Sequence, residues 1–438
     1  MHDRLGWTRA VPDSQRLWPE WSRFATAVRR DGLDRVLICG MGGSSLAPQV
    51  LMRGFGVTGV DVLDSTDPAA VRAAELAHPL ERTLFLIVSK SGSTVETLAA
   101  YHYFAARARP EQFVAVTDPG SALEQLAAER KFRKTFPHPA DVGGRYAALT
   151  VVGMLPAALA GIDGPTLLER ASDTNVEAAR ALGGSLAAAA AAGRDKLALR
   201  PPESVAALAS WIEQLVAESS GKDGRGVVPV VGEPAASGDD VEAVRDFSAD
   251  PLDLGREFLR WEHATWELCN RLGVNAFEQP NVEEAKAMAR AELAKPGTAG
   301  GEAPATLTPA ALQRAARPRD YLALLAYLPP RPDLEAGLQR ARVAWGRALG
   351  IVTTVGVGPR YLHSTGQLHK GGPDTGLFLV VTADPPLDLD IPEMQTTFGR
   401  LERAQAIGDM RALLARGRRV CHVHFPRAED VEQLAALV

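Results

Sequence analysis

Short apolar runs that stop at turn residues recur through the first third of the chain, at 35–39 (RVLIC), 60–63 (VDVL), 83–88 (TLFLIV) and 113–116 (FVAV). Helix-like stretches such as 69–77 and 95–107 lie between them. Strands joined through helices run parallel, and a parallel sheet is buried on both faces. The alternation therefore predicts an α/β fold with helices packed on both sides of a parallel sheet. Ligands in such sheets sit outside the carboxyl ends of the strands. Two of these ends carry unusual loops, GMGGSS at 40–45 and SKSGST at 89–94.

The middle of the chain reads as helical, with Ala- and Leu-rich stretches at 147–159, 165–182 and 185–197. A second set of strand-like runs follows at 204–208, 227–231, 321–328, 352–357, 377–382 and 420–425. Two doubly wound parallel-sheet lobes, 1–165 and 166–438, with helical connections are the simplest architecture for this pattern, and 438 residues suffice for two cores. The stretch 295–309 (KPGTAGGEAPATLTP) is the expected loop or linker. The acidic run 239–242 reads as a solvated loop.

Composition excludes several classes of function. With 48 basic and 53 acidic side chains the net charge is −5, which argues against a dedicated nucleic-acid binder. Cys39, Cys269 and Cys421 are few and far apart, so a reducing compartment is expected, without a disulfide framework or zinc cluster. The first residues lack an apolar signal core, and no apolar run approaches the ~18–20 residues of a membrane span. A cytoplasmic protein without a membrane partner is expected.

The glycine-rich loop follows a strand and precedes a helix. Gly40 and Gly42 fit a dinucleotide fingerprint, and Asp61 or Asp64 could serve as the ribose acid, but Ser45 stands where the third glycine or alanine belongs. A phosphate or sugar contact through Gly42, Ser44 and Ser45 is the better reading; a tight turn without ligand is the plainer one. The second loop offers more. Ser89, Ser91, Ser93 and Thr94 place four hydroxyls around Lys90, immediately before a helix near Val95. Hydroxyls, a cation and free helix N–H groups suit a phosphate dianion. Ser93 or Thr94 could instead cap the helix, with Glu96 in its first turn, although one cap needs only one such residue.

The two loops together resemble the sugar isomerase (SIS) domain, and further motifs narrow the resemblance to the glucose-6-phosphate isomerase family. DVGGRYAALT at 141–150 is similar to the family's VGGRYS segment, and EQLVAESSGK at 213–222 to QLxxESxGK. LGVNAFEQPNVEEAK at 272–286 resembles LGxNPFDQPxVExxK, and HSTGQ at 363–367 resembles the HSxGQ segment of short bacterial forms. In those forms HSxGQ precedes the lysine-bearing motif, whereas here it follows. The chain also resembles the isomerase half of fused transaldolase–isomerase proteins, with no room for a transaldolase barrel.

The resemblance implies aldose–ketose isomerisation of a sugar phosphate through ring opening and a cis-enediol, without cofactor or metal. It implies Glu218 as the base at the carbons, with Gln214 one helical turn earlier as a substrate contact. It implies Arg145 as the cation beside the enediolate, and Lys286 and His363 as the groups that open the ring. It implies a homodimer that borrows a histidine across its interface. Mannose 6-phosphate could share the same enediol. A sugar-phosphate sensor without catalysis is the rival class; sensors usually carry a DNA-reading helix, and no basic recognition helix is evident. Outside these motifs, His422 and His424 alternate on one strand without a third metal ligand nearby in sequence. Phe258, Trp261, His263 and Trp266 read as core or interface, and His369 and Lys370 as non-catalytic neighbours of the site.

Overall fold

The computed structural model describes residues 4–233, 238–295 and 302–438. A long amphipathic helix, α1 (Ala10–Arg30), leads into the first sheet. Its strands are β1 (Arg35–Gly40), β2 (Val60–Leu63), β3 (Thr83–Val88), β4 (Phe113–Thr117) and β5 (Lys134–Pro137). Helices α2 (Leu46–Gly54), α3 (Pro68–Ala77), α4 (Val95–Ala105) and α5 (Ala122–Glu129) alternate with them. All neighbours pair in parallel, in the order β2-β1-β3-β4-β5. The strand order reverses between β1 and β3, and both unusual loops open from these two neighbouring carboxyl ends. That crevice is where open α/β sheets bind ligands.

Period-two patterning explains why the sheet needs cover on both faces. Val36, Ile38, Leu84, Leu86 and Val88 pack into one core with α1 and α2. Leu37, Cys39, Phe85 and Ile87 enter the opposite core with residues of α4. Three helices follow: α6 (Val151–Ala160), α7 (Gly164–Ser172) and α8 (Val176–Ala191). The single helix expected at 165–182 is broken at 173–175, where the Asn175 side chain accepts from Ala178 N and starts α8. The helix expected at 185–197 ends at Ala191; Gly193 takes φ +82°, and Lys196 opens a strand.

The second half holds two parallel sheets rather than one. The first joins β6 (Lys196–Leu199), β7 (Val228–Val231) and β8 (Val241–Val244) in the order β7-β6-β8. After α9 (Leu208–Ser220), α10 (Leu254–Leu272), α11 (Pro280–Leu293) and α12 (Pro309–Arg314) the second sheet begins. It contains β9 (Tyr321–Tyr327), β10 (Val352–Val357) and β11 (Gly376–Ala383), with α13 (Pro332–Leu349) and α14 (Gly366–Gly371) between them. A small ladder of β12 (Asp390–Ile391) and β13 (Thr396–Thr397), then α15 (Phe398–Ala415) and β14 (Arg419–Phe425), complete the order β10-β9-β11-β14. The run 204–208 is not a strand but a short 3-10 turn leading into α9, after the Pro201–Pro202 break. The acidic run 239–242 is not a free loop: from Val241 it joins edge strand β8, whose Glu242 pairs with Leu197 and faces solvent, as charged edge residues do. Residues 296–301 of the expected linker lie outside the described residues, while Leu307 bonds to Val420 O at the sheet edge. Phe258 and Trp261 are fully buried core, and Trp266 packs partly buried against it. His263 sits edge-on to Trp7 at 4.7 Å. His422 and His424 both meet the Thr382 hydroxyl at 2.9 Å, and among the described residues no group of three potential metal ligands converges there. No described helix is long and apolar enough to cross a membrane.

Helix α15 is the strut of the second half. Its Asp409 is fully buried, ion-pairs with buried Lys370 at 2.5 Å and accepts from Tyr361 Oη at 2.7 Å. Lys370 also donates to Gly366 O. These bonds pin the 3-10 turn Arg360–His363 and α14 to α15. A lone charge left in such a place is expensive. Asp409→Asn is expected to lower stability by roughly 3 kcal/mol, whereas Lys370→Met with Asp409→Leu recovers most of the loss. Urea denaturation of the three chains measures both effects.

Candidate active site

A cleft of about 850 Å³ opens at the carboxyl ends of β1 and β3. Both loops, α9, α11 and the turn Arg360–His363 contribute to its walls. Arg145, Gln214, Glu218, Lys286 and His363 all line it.

Glu218 lies near the end of α9 and is buried. Its Oε1 is 2.8 Å from Arg145 Nη1, and its Oε2 accepts from Gln214 Nε2 at 3.0 Å. Residues four apart share a helix face, which is why Gln214 reaches it. The same amide nitrogen donates to His363 O at 2.8 Å, so one side chain ties α9 to the histidine turn. Gln214 Oε1 is buried without a partner among the described residues. Arg145 is held on every side. Nε donates to Ser219 Oγ at 2.9 Å, Nη1 to Gln279 Oε1 at 2.7 Å and Nη2 to Ala276 O at 2.6 Å. Lys222, the last residue of the 213–222 motif, donates to Ser219 O and Asn275 O, clamping the end of α9 to the 275–279 loop. Burial, with Arg145 adding to it, pulls the Lys222 ammonium down to about 7.

The hydroxyl loop divides into two parts. Lys90, Ser91, Ser93 and Thr94 line the cleft. Ser91 and Ser93 hydroxyls lie 2.9 Å apart. Ser89 does not reach the cleft: it is buried, meets Thr94 Oγ1 at 2.9 Å and accepts from Gly92 N, bracing the loop from inside. Thr94 stands at the N-cap of α4, but its hydroxyl pairs with Ser89 rather than capping the helix. Lys90 is already ion-paired with Asp118, which His138 approaches from behind at 3.1 Å. In the glycine loop, Gly42 and Ser44 face the cleft, whereas Ser45 is buried and donates to Gly42 O. Ser45 and Ser89 therefore shape their loops and are not wall residues.

His363 enters the cleft from the same chain as Glu218. Its Nε2 is 2.8 Å from Glu96 Oε1. A carboxylate only accepts, so Nε2 carries a proton, and the neutral tautomer compatible with this bond has its lone pair on Nδ1. Glu96 was readable only as a helix first-turn residue, yet it is buried. Burial pushes its carboxyl up, but the charge and hydrogen bond of His363, with Lys286 further off, outweigh this and hold it below the ordinary value. Nothing local in the sequence marks Glu96, because its partner is 267 positions away. Lys286 lies on α11, half exposed and paired with Glu283 at 2.9 Å. His369 is buried behind the cleft among Tyr321, Tyr361 and Phe378, and its burial depresses its basicity.

The whole is a parallel α/β protein with a polar crevice that combines an anion-suited loop, a buried carboxylate–guanidinium pair and a histidine–carboxylate pair. The fold is shared with a solved glucose-6-phosphate isomerase from Chlamydia trachomatis, at TM-score 0.53 and 18% identity over 65% of this chain and 73% of that one. In sequence the chain is 35% identical over 216 residues to glucose-6-phosphate isomerase of Gloeothece citriformis, covering 44% of this chain and 41% of that one. It is 34% identical over 268 residues to the Thermus thermophilus glucose-6-phosphate isomerase, covering 57% and 64% respectively. The chain thus spans between two fifths and two thirds of the length of these relatives. No family model matches it. In sequence the chain is similar to glucose-6-phosphate isomerases, and it shares its fold with one of known structure.

Backbone contact makes the glycine loop part of this geometry. Gly42 takes φ +56°, and a Cβ there would stand 2.6 Å from His363 O and 2.8 Å from Gln214 Nε2. Gly42→Ala is expected to push both away, costing roughly 1–3 kcal/mol of stability and most of the activity. Thermal unfolding and turnover measured on the same preparation check this.

Proposed function

We propose that the protein interconverts glucose 6-phosphate and fructose 6-phosphate by ring opening followed by proton transfer through a cis-enediol. The observation that carries this reading is one cleft holding the Glu218–Arg145 pair and the His363–Glu96 pair beside the hydroxyl loop. The phosphate sits at the start of α4, where backbone N–H groups and the hydroxyls of Ser91, Ser93 and Thr94 converge. Lys90, shared with Asp118, adds less charge than its type suggests. His363 exchanges the proton between ring oxygen and anomeric hydroxyl through Nδ1, with the Lys286 ammonium close by. In the open chain, the Glu218 carboxylate takes the C2 proton and returns it to C1, while the hydroxyl proton of the enediol passes from O2 to O1, so atoms and charge balance. Arg145 is held rigid beside it and stabilises the developing enediolate oxygen. Gln214 Oε1 is an acceptor for a sugar hydroxyl. Buried acid–base machinery of this kind favours catalysis over passive sensing.

The reading includes a cytoplasmic homodimer in which each chain carries its own histidine; light scattering that finds a fully active monomer would remove the dimer. A coupled assay on fructose 6-phosphate tests the activity itself. Glu218→Gln keeps shape and removes the base, and is expected to lower kcat by at least ~10²-fold. Retention of substantial turnover would overturn the assignment.

A further inference from the structure

Glu96 does not stand in the cleft wall on its own. Its Oε1 accepts from His363 Nε2 and also from Gln405 Nε2, at 2.6 Å, and Gln405 Oε1 accepts from Thr66 Oγ1 at 2.8 Å. Thr66 is fully buried, and Gln405 and Glu96 nearly so. The orientation of the amide follows from chemistry. A carboxylate offers no proton, so the Gln405 nitrogen must face Glu96, and the hydroxyl of Thr66 then satisfies the oxygen left over. The chain of bonds also crosses the molecule three times: Thr66 follows β2 and Glu96 belongs to α4, whereas Gln405 belongs to α15 and His363 to the turn after β10.

We propose that Gln405, fixed by Thr66, is a positioning residue that sets the Glu96 carboxylate against His363 and thereby selects the imidazole tautomer used in ring opening. The proposal rests on the ring-opening role given to His363 above. Its physical content is that two donors share one carboxylate oxygen. Gln405 takes up part of the negative charge that Glu96 would otherwise present to the imidazole, and it stops the carboxylate from rotating. Three other groups bear on Glu96: His363, the Lys286 ammonium from α11 and, more weakly, Tyr327 from β9. Glu402, one turn earlier on α15, faces Asp67 and Asp388 instead.

The test compares Gln405→Leu, Thr66→Val and Thr66→Ser with the unaltered chain. Nitrogen NMR of the His363 imidazole reads the positioning directly. In the unaltered chain the neutral ring is expected with its proton on Nε2. In Gln405→Leu the carboxylate has one donor fewer, so His363 is expected to titrate at higher pH. Turnover of cyclic fructose 6-phosphate is expected to fall about tenfold, the worth of one hydrogen bond to a charged group, with KM little changed and an open-chain sugar phosphate less affected. Thr66→Val should move the His363 titration in the same direction, and Thr66→Ser, which keeps the hydroxyl, should restore it. An unmoved His363 titration in folded Gln405→Leu overturns the proposal; if that chain fails to fold, identical titrations in Thr66→Val and Thr66→Ser overturn it equally. His363→Ala separates the two levels of inference. Equal losses on cyclic and open-chain substrates there would sink the ring-opening role itself, whatever Gln405 does to the ring.

Discussion

The buried pair of Arg145 and Glu218 is the interaction on which the cleft depends. Neither charge has much access to water. A pair in that position is tolerable only when every remaining donor and acceptor is matched. The matching groups come from all around: Ser219 and Gln214 from α9, Gln279 and Ala276 O from the loop before α11. Meeting these needs draws the turn Gly144–Tyr146, the end of α9 and the 275–279 loop to one point. Gln214 extends the same network to the His363 backbone. Electrostatic satisfaction and catalytic geometry are thus one requirement.

Where chemistry is written in neighbouring residues, it was readable. Both loops at the switch between β1 and β3 followed from apolar runs ending in glycines and hydroxyls, and the Gln214–Glu218 spacing placed two side chains on one helix face. Reading failed where a residue's role depends on something distant. Ser45 and Ser89 look like their neighbours in sequence, but the loop backbone turns their hydroxyls inward. Glu96 looks like a helix-dipole residue because His363 and Gln405 are invisible from its own segment. Lys90 reads as a free cation until Asp118 is placed beside it. Strand errors have a similar cause: β8 is an acidic edge strand whose pairing with β6, not its composition, makes it a strand.

The position of HSTGQ after the lysine motif shows that the site is defined by convergence rather than chain order. His363 follows strand β10 of the second half and still meets Glu96 on α4 of the first. The buried Tyr361–Asp409–Lys370 cluster holds that turn in place from behind. Helix α15 supports the histidine twice, through Asp409 beneath the turn and Gln405 beside its carboxylate.

The wide sequence separation of these contacts bears on how the protein comes to fold. Glu96 and Gln405 are 309 positions apart, and Thr66 and Gln405 are 339. Closing such loops is entropically costly and is rewarded only once the flanking cores exist, so these pairings belong to the late steps. A nascent chain whose first sheet has already formed still lacks the histidine and its amide support. The cleft therefore has no early, half-competent version: helix α15, near the end of the chain, must dock before proton transfer has its full set of groups. Refolding followed by returning activity would consequently report arrival of the last long-range contacts, and not formation of either sheet.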